Sequence, residues 1–351
     1  MLESKIKQAV LDQGFHLVGI STADDPLLQE AVERYSTWVD AGRGATMDYL
    51  KRHADLKANP CKLLPDCRSI ISVAMLYGTE AVTEDARRAQ VSLYTRGDDY
   101  HELMSRKLEL LADWLKREHQ ITARAFVDSQ PVLERFWAWR AGLGWVGKNA
   151  VLINRKAGSY LFLGGLLVDA ALSPDAPTPD HCGRCTKCIE ACPTEAIVED
   201  RTVDSGRCIA YHTIENRGIV PEAVMAKTGR WIAGCDICQA VCPWNDPVTP
   251  GPEFATTNRT FNAPLGELAQ WAAEDFKAAT KTTAMGRMKF SGFVRNVTIA
   301  VANSGLSRDE KGEALERLEK SAGALAEGPG RDGASAAVQW AKRSIFTRVG
   351  G

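Results

Sequence analysis

Apolar and polar positions alternate between helical and strand spacing through the first half of the chain. Apolar residues that recur every three to four positions predict helices, and short apolar or alternating runs predict strands. The predicted helices cover about residues 3–13, 25–40, 100–118 and 130–141; the predicted strands cover 15–21, 68–76, 121–127, 150–154 and 160–169, the last two as a candidate hairpin. This order follows no strict βαβ repeat, so it favours an α+β domain over a doubly wound sheet.

Two proline-rich stretches, 172–179 and 243–252, divide the chain. They predict one domain over 1–171, a small domain over 172–252 and a third part over 253–351. From about residue 265 onward the spacing is helical. The segments 293–304 and 334–346 look like equivalent helices about forty residues apart, which is typical of paired-helix repeats.

The composition is that of an ordinary globular protein: 351 residues, 45% hydrophobic, 25% charged, with a net charge of −1. The N-terminal residues resemble neither a secretion signal nor a twin-arginine signal, and no apolar run is long enough to span a bilayer. We therefore expect a protein of the cytoplasm, a compartment in which thiols stay reduced, and we expect no membrane partner. Nothing in the pattern indicates a dimer interface, so we expect a monomer.

Eight of the ten cysteines lie between residues 182 and 243. The first group is a complete C-x2-C-x2-C-x3-C-P run, and the second lacks only the first cysteine, which the isolated Cys208 can replace. Such runs hold two [4Fe–4S] clusters, and the fourth cysteine of each run ligates the other cluster. The predicted ligands are Cys182, Cys185, Cys188 and Cys242 for one cluster, and Cys192, Cys208, Cys235 and Cys238 for the other.

Structural zinc is the alternative for paired C-x2-C motifs. Zinc sites need neither the third C-x2 step nor the trailing Cys-Pro, so the iron–sulfur interpretation is favoured. The two remaining cysteines, Cys61 and Cys67, look like ordinary thiols.

Gly142, Gly144 and Gly147 match the G-x-G-x-x-G pattern of dinucleotide-binding loops. Those loops need a strand before the glycines and a helix after them, whereas here a predicted helix precedes and a strand follows. We interpret the glycines instead as a turn whose backbone lies close to a large cofactor.

Asp128 stands between a predicted strand and a predicted helix. A carboxyl at a strand end that faces a cleft can donate a proton if burial raises its pKa. The alternative is an N-cap for the helix predicted from Gln130, and the residues alone favour it.

A run of basic residues without an acidic neighbour lies further on. It contains Lys277, Lys281, Arg287, Lys289 and Arg295. Such a run suits phosphate binding, and it equally suits a solvated helix face.

Several segments, taken in order, resemble epoxyqueuosine reductases, the cobalamin-dependent iron–sulfur enzymes of queuosine synthesis. They are YTRGDDYH at 94–101, VDSQPVLER at 127–135, AGLGWVGKN at 141–149, CIAYHTIE at 208–215, GCDICQAVCPWN at 234–245 and FVRNVTIA at 293–300. The similarity covers nearly the whole chain, and the combination of segments is more specific than the cysteines alone.

This resemblance implies reduction of epoxyqueuosine to queuosine at the wobble position of tRNA, with loss of water. Electrons would pass through two [4Fe–4S] clusters to cobalamin, held between a cluster and the nucleotide. Oxygen loss requires a proton donor, and the residue that matches the family's donor is Asp128. The implied fold is a cobalamin-binding α/β sheet domain, a ferredoxin-like two-cluster domain and a C-terminal helical HEAT-like module that grips tRNA. The implied partners are a tRNA carrying epoxyqueuosine and an electron donor of flavodoxin or ferredoxin type.

The resemblance also assigns contact residues. Positions that match corrin contacts are Lys57, Ser92, Asp128, Leu152, Leu163, Ile209, Asp236 and Ile237. Positions that match RNA-facing ones in the family are Arg135 and Asn216. From the basic run itself we expect Lys281, Arg287, Lys289 and Arg295 to hold the RNA backbone. Lys57 departs from the family, which usually has an arginine there, and a lysine cannot make the same bidentate contact.

Two other classes share parts of this pattern. A cytoplasmic reductive dehalogenase-like enzyme, acting on a small organic halide, would use clusters and a corrin but not the basic helical tail. A two-cluster electron carrier without its own catalysis would hold iron and sulfide but no cobalt.

Overall fold

Helices and strands are interspersed along the whole chain. The computed structural model describes residues 1–78, 84–247, 249–251 and 257–346. The helices are α1 Leu2–Asp12, α2 Leu28–Asp40, α3 Ala54–Lys57, α4 Tyr100–His119, α5 Glu134–Arg140, α6 Lys187–Glu190, α7 Ile209–Ile214, α8 Glu222–Lys227, α9 Ile237–Ala240, α10 Leu265–Leu268, α11 Ala273–Thr280, α12 Lys289–Asn303, α13 Arg308–Gly323 and α14 Pro329–Phe346. The strands are β1 Leu17–Thr22, β2 Ser69–Leu76, β3 Gln90–Val91, β4 Ala123–Phe126, β5 Trp145–Val146, β6 Leu152–Ile153, β7 Leu161–Val168, β8 Ile197–Glu199, β9 Thr202–Val203 and β10 Trp231–Ala233. Among the described helices, none combines the length and apolarity needed to cross a bilayer.

The central sheet has the strand order β1-β2-β7-β4, and every neighbouring pair is antiparallel. All eight positions of β2 are buried. A strand covered on both faces is expected to be apolar nearly throughout, which explains the unbroken apolar run. An antiparallel sheet flanked by helices agrees with the α+β interpretation of the sequence.

Helices pack on both faces of this sheet, and alternate side chains of β2 contact the helices on each face. Successive residues of a strand point to opposite faces. Ile71 and Val73 pack in one apolar core with residues of α1 and α4, whereas Ile70 packs in another core with Phe136 and Trp137 of α5. The sheet and α5 together fix the turn after β4, which carries Asp128.

The hairpin predicted between residues 150–154 and 160–169 is wrong. β6 pairs with β5, while β7 enters the central sheet between β2 and β4. A Cβ atom on Gly144 would lie 2.2 Å from the Ile153 carbonyl oxygen, so only glycine lets β5 approach β6 this closely. Gly144 therefore permits close packing of the protein's own backbone, and the predicted closeness of this turn to a cofactor stays a prediction.

A short parallel pairing of β3 with β10 joins the cysteine-rich segment to the residues before α4. Gln90 N donates to Arg230 O over 2.9 Å, and Ser92 N donates to Ala233 O over 2.8 Å. This pairing places the second cysteine run directly beside the chain that leads to α4.

The last helices share one apolar core with the cysteine-rich segment. α12 packs against both α13 and α14, so the two helices predicted to be equivalent lie against each other. The same core takes in Val91 of β3, Ile214 of α7, Val224 of α8 and Ile232 of β10. The C-terminal helices are therefore continuous in packing with the segment that carries the thiols.

Arg295 lies inside this core, not on the surface. Its side chain is 2% exposed and donates hydrogen bonds to the backbone carbonyls of His212, Asn216 and Gly218. Desolvation lowers its pKa to about 10. A phosphate cannot reach a guanidinium whose donors are enclosed in this way, so the predicted RNA contact at Arg295 is wrong.

We expect Arg295→Met to lower the free energy of unfolding by about 3 kcal/mol or more, because it leaves buried carbonyl groups without donors. Urea unfolding of the full chain, followed by circular dichroism under anaerobic conditions, measures the change. Arg117→Met on the exposed side of α4 is the matched control and should shift stability by no more than about 0.5 kcal/mol. Equal shifts for the two variants would contradict a structural role for Arg295.

Candidate active site

The cysteine-rich segment places two short helices, α6 and α9, side by side. Cys188 lies in α6 and Cys238 in α9, while Cys208 is the N-cap residue of α7. A tight turn precedes α6, with a hydrogen bond from Cys185 N to Cys182 O over 3.0 Å. Short turns followed by one helical turn bring three thiols of a run to the same side of the chain.

The thiols predicted for one cluster lie near one another around α6. Burial raises the pKa of the Cys188 thiol, and the neighbouring thiols of Cys182, Cys242 and Cys185 raise it further. Trp145 Nε1 donates to Cys182 Sγ over 3.4 Å. Hydrogen bonds to the ligating sulfur atoms are one of the means by which proteins adjust cluster potentials.

The second group gathers the other four thiols. Burial raises the pKa of the Cys235 thiol well above its usual range, and Cys208 and Cys238 add to the shift. Burial likewise raises the pKa of Cys238 to about 12, with Cys208 and Cys192 among the contributing neighbours. Ala196 N donates to Cys192 Sγ over 3.2 Å. The isolated Cys208 thus lies near the thiols of the second run.

Across the described ranges, no three His, Cys, Asp or Glu side chains lie close enough together to hold a single metal ion. A cubane needs a wider cage than one ion does, because four iron atoms and four sulfides stand between its thiolates. The two groups of four thiols are consistent in composition with such cages.

Asp128 lies in the turn that follows β4, with its backbone in the left-handed conformation at a φ of 52°. Val127 N donates to Gln130 Oε1 over 2.7 Å, which holds the turn. The helix predicted from Gln130 begins only at Glu134 and has Leu133 as its N-cap. The N-cap alternative for Asp128 is therefore excluded. Its side chain is 59% exposed, so the carboxyl is open to a ligand from solvent.

His101 holds this carboxyl in place. Its Nε2 lies 3.0 Å from Asp128 Oδ2, and its Nδ1 lies 2.6 Å from Asp99 Oδ1. Burial acts to lower the pKa of the ring, but hydrogen bonds to Asp128 and Asp99 outweigh it and raise that pKa to about 9. The residue pattern alone assigned no chemistry to His101. The available signal was an Asp-x-His at the start of a helix, where the N-cap carboxylate can also reach the ring.

Glu134 is a second group that the residue pattern did not reveal. Its Oε1 accepts a hydrogen bond from Asp128 N over 2.5 Å. Desolvation raises the pKa of Glu134 to about 8, and the neighbouring charge of Asp128 adds to the shift. Lys57, a predicted corrin contact, faces Glu134 from α3: burial lowers the Lys57 pKa, while the charge of Glu134 opposes this. Two carboxyls, an imidazole and an amine therefore lie together beside the turn after β4, and these four groups define the candidate cleft.

Tyr94 links this cleft to the cysteine-rich segment. Burial raises the pKa of the Tyr94 hydroxyl, and the charges of Asp236 and Asp128 raise it further. The Asp236 carboxyl accepts hydrogen bonds from Ser92 Oγ over 2.5 Å and from Leu93 N over 2.7 Å. Ser92 and Asp236, both predicted corrin contacts, are thus bonded to each other and shape one wall.

The other predicted corrin contacts differ in exposure. Leu152 and Ile209 are buried, at 3% and 2% exposure, so any contact with a ligand must come from their backbone. Leu163 and Ile237 are half-buried and present apolar surface. An apolar surface bordered by polar backbone and by charged groups fits a large flat macrocycle with amide side arms.

The predicted RNA contacts also divide by exposure. Four are exposed: Arg135, Lys281, Arg287 and Lys289. Arg287 donates to both carboxylate oxygens of Glu215 and lies 5.6 Å from the ring centre of Tyr49. Asn216 is 5% exposed, and its amide lies 3.0 Å from His212 Nδ1. Its side chain is therefore internal, which corrects the prediction that Asn216 faces RNA.

Two family models match the chain. The 4Fe-4S double cluster binding domain matches residues 181–245, which hold all eight cysteines of the two groups. The model described as Epoxyqueuosine reductase QueG, DUF1730, matches residues 57–129. The epoxyqueuosine reductase of Escherichia coli K12 is 40% identical over 311 residues, which are 86% of this chain and 81% of that protein. The chain belongs to the epoxyqueuosine reductase family.

Other members of the epoxyqueuosine reductase family agree in sequence and fold. The Synechocystis protein is 41% identical over 285 residues, covering 80% of this chain and 98% of its own length. The solved Streptococcus thermophilus epoxyqueuosine reductase superposes with a TM-score of 0.84 at 24% identity, over 99% of this chain and 91% of that one. An epoxyqueuosine reductase solved with an epoxyqueuosine-modified tRNA stem loop gives a TM-score of 0.77 at 25% identity, over 97% and 99%. The predicted family and the double-cluster domain are thereby confirmed.

Proposed function

We propose that this member of the epoxyqueuosine reductase family reduces epoxyqueuosine to queuosine at the wobble position of tRNA, with release of water. The observation that carries the proposal is 40% identity over 86% of the chain with the Escherichia coli reductase. A related protein of the same fold has been solved with an epoxyqueuosine-modified tRNA stem loop, the substrate that the proposal assigns. This assignment is favoured over a small-molecule dehalogenase, which has no use for a tRNA surface.

Two [4Fe–4S] clusters are the electron path in this proposal. We assign Cys182, Cys185, Cys188 and Cys242 to one cluster and Cys192, Cys208, Cys235 and Cys238 to the other. α6, which carries Cys188 of one group, packs against α9, which carries Cys238 of the other, and this supports two clusters close enough for electrons to pass between them. Asp236, next to Cys235 in the chain, accepts hydrogen bonds from Ser92 and Leu93, so we assign the second cluster as the one nearer to Tyr94.

Cobalamin is the cofactor that we propose for the cleft. When bound, it supplies a cobalt centre that can combine single electrons into the two-electron reduction of an epoxide. Leu163 and Ile237 would support the corrin, with the backbone at Leu152 and Ile209 bonding its amide arms. Lys57 would contact the rim, in place of the family's usual arginine. Ser92 and Asp236 would form the wall between corrin and cluster.

Asp128 is the residue that we propose as the proton donor to the departing oxygen. General acids of this kind must lie within hydrogen-bond reach of the atom they protonate. Asp128 stands at the open side of the cleft, with its carboxyl oriented by His101 and its backbone N–H bound to Glu134. The target base would have to be splayed out of the anticodon loop to reach it.

Mass spectrometry of tRNA nucleosides tests the proposed function. The full chain, reconstituted with iron, sulfide and cobalamin and reduced chemically, is incubated with epoxyqueuosine-containing tRNA. We expect epoxyqueuosine to disappear as queuosine appears, and we expect no conversion when cobalamin is left out. Unchanged epoxyqueuosine with fully loaded protein would overturn the proposal, as would equal conversion with and without cobalamin.

We expect the exposed lysines of the basic run to hold tRNA phosphates. Replacing Lys281 and Lys289 together by glutamine should make the decrease of log K with log salt less steep by nearly two, where K is the association constant for tRNA. Each phosphate that is no longer neutralised removes about 0.9 from the steepness of the slope. Filter binding of tRNA measures the slope between about 50 and 200 mM salt, where phosphate contacts make the affinity strongly dependent on salt. Lys5→Gln on the exposed side of α1 is the control and should leave it unchanged. A double variant with the unaltered slope would remove these lysines from the interface.

The remaining parts of the proposal concern partners. A tRNA substrate and reduced clusters favour action in the cytoplasm, with a flavodoxin- or ferredoxin-type protein as the electron source. We propose a monomer, and sedimentation of the cluster-loaded chain tests it: a dimer at micromolar concentration would contradict it.

A further inference from the structure

The proposed reaction consumes two protons for each epoxide. An epoxide, two electrons and two protons give an alkene and one water molecule. One carboxyl can deliver only one proton before it must be reloaded. Asp128 must therefore be reloaded from a proton source, either solvent or a neighbouring side chain, between the two transfers, if the proposed function holds and both protons pass through this residue.

His101 has the position of such a source. Its Nε2 lies 3.0 Å from Asp128 Oδ2, and its Nδ1 is held by Asp99 at 2.6 Å. Asp99 also accepts from His101 N over 3.0 Å, and its own N–H donates to Thr282 O over 2.6 Å. The Tyr100 ring stacks on the imidazole at 4.0 Å and an interplanar angle of 28°. The ring is thus fixed from three directions, with one nitrogen aimed at Asp128.

We propose that His101 reloads Asp128 with protons during turnover, through the Nε2 to Oδ2 hydrogen bond. As Asp128 gives its proton to the substrate oxygen, one O–H bond breaks at the carboxyl and one forms on the substrate. The Nε2–H bond of His101 then breaks, and a new O–H bond forms on Asp128. The neutral ring keeps its Nδ1–H on Asp99 and regains a proton from solvent. Two such cycles supply both protons, while the clusters supply both electrons.

The electrostatic surroundings keep the His101 ring protonated. Titratable groups face the ring from three elements: Asp99 and Tyr100 at the start of its own helix, Asp128 on the turn after β4, and Glu134 at the start of α5. Because the pKa of His101 is raised from 6.5 to about 9, the ring keeps its second proton at neutral pH and loses it only as the pH rises through about 9. The side chain is 34% exposed, so solvent can return the proton.

Single-turnover reduction by pre-reduced, fully loaded enzyme tests the proposal from about pH 6 to about pH 10. In the wild type, the rate should fall as the pH rises through about 9, because His101 loses its proton there. We expect His101→Gln, which cannot carry the proton, to be slower by about 10²-fold at neutral pH and to show no such fall. Asp99→Asn should keep the fall but move it to lower pH. Imidazole added to His101→Ala should restore part of the rate. His119→Gln, at the other end of α4, is the control and should match the wild type.

A second measurement does not depend on turnover. Nuclear magnetic resonance of the histidine ring nitrogens, in the full chain with oxidised clusters, should give a His101 pKa well above the ordinary value. Asp128→Asn should lower this pKa. Two results would overturn the proposal. One is an ordinary His101 pKa that stays the same in Asp128→Asn, and the other is a His101→Gln variant with the wild-type rate and pH profile. A raised, Asp128-dependent pKa in a protein that leaves epoxyqueuosine unchanged would instead overturn the proposed function.

Discussion

Cys208→Ala is expected to reduce the iron content of the chain from about eight to about four atoms and to abolish reduction of epoxyqueuosine-tRNA. Cys208 is the proposed ligand that stands outside both cysteine runs, at the N-cap of α7, with its thiol beside Cys192 and Cys235. Its loss removes one corner of one cluster, which interrupts the electron path. Iron and sulfide analysis, together with electron paramagnetic resonance of the reduced protein, measures the result.

Cys61→Ala is the matched control for this variant. Cys61 is an exposed thiol far outside the two runs, so its replacement should leave iron content and activity unchanged. Full iron content in Cys208→Ala would show that the eighth ligand lies elsewhere. Zinc in place of iron in anaerobically prepared wild-type protein would overturn both ligand sets.

Asp128→Asn is expected to slow the reduction by about 10² to 10⁴-fold, the range found for loss of a positioned general acid. Asparagine keeps the size of the side chain and a hydrogen bond to His101, but it has no acidic proton to give. Clusters and tRNA binding should be unaffected, so single-turnover measurement with pre-reduced enzyme isolates the chemical step.

Ser129→Ala serves as the control in the same turn. Its hydroxyl donates to Val127 O over a long 3.4 Å, and its removal should change the rate by less than about twofold. An Asp128→Asn variant that reduces epoxyqueuosine at the wild-type rate would show that the proton comes from another group. Glu134, which holds the backbone of Asp128, would then be the next residue to test.

Features that depend on local spacing were predictable from the sequence. The cysteine runs were recognisable because a cluster needs thiols at fixed short separations, which a single turn and one helical turn supply. The helix predicted over 100–118 matches α4, Tyr100–His119. Its apolar spacing and its N-cap residue both lie within one continuous stretch of sequence, so no distant contact is needed to predict it. The family followed from several such local segments read together.

Features that depend on distant contacts were not predictable. A basic run cannot reveal that Arg295 meets the carbonyls of His212 and Gly218, more than seventy residues away, and so lies in the core. The same holds for β7, which adjoins β6 in sequence but pairs with β2 and β4. His101 was missed because its partner Asp128 is 27 residues further on.

α12 and α14 share an apolar core with β10, which directly precedes the second cysteine run. The last helices therefore pack against the segment that carries the proposed cluster ligands. During synthesis, β10 emerges from the ribosome well before α12, so its apolar face has no cover until the last helices arrive. The packing around β10 and α7, beside the cysteine runs, is therefore completed only when these helices have folded. A chain stopped before Leu265 would leave the apolar face of β10 exposed, and its failure to act on tRNA would reflect incomplete folding as well as the loss of tRNA contacts.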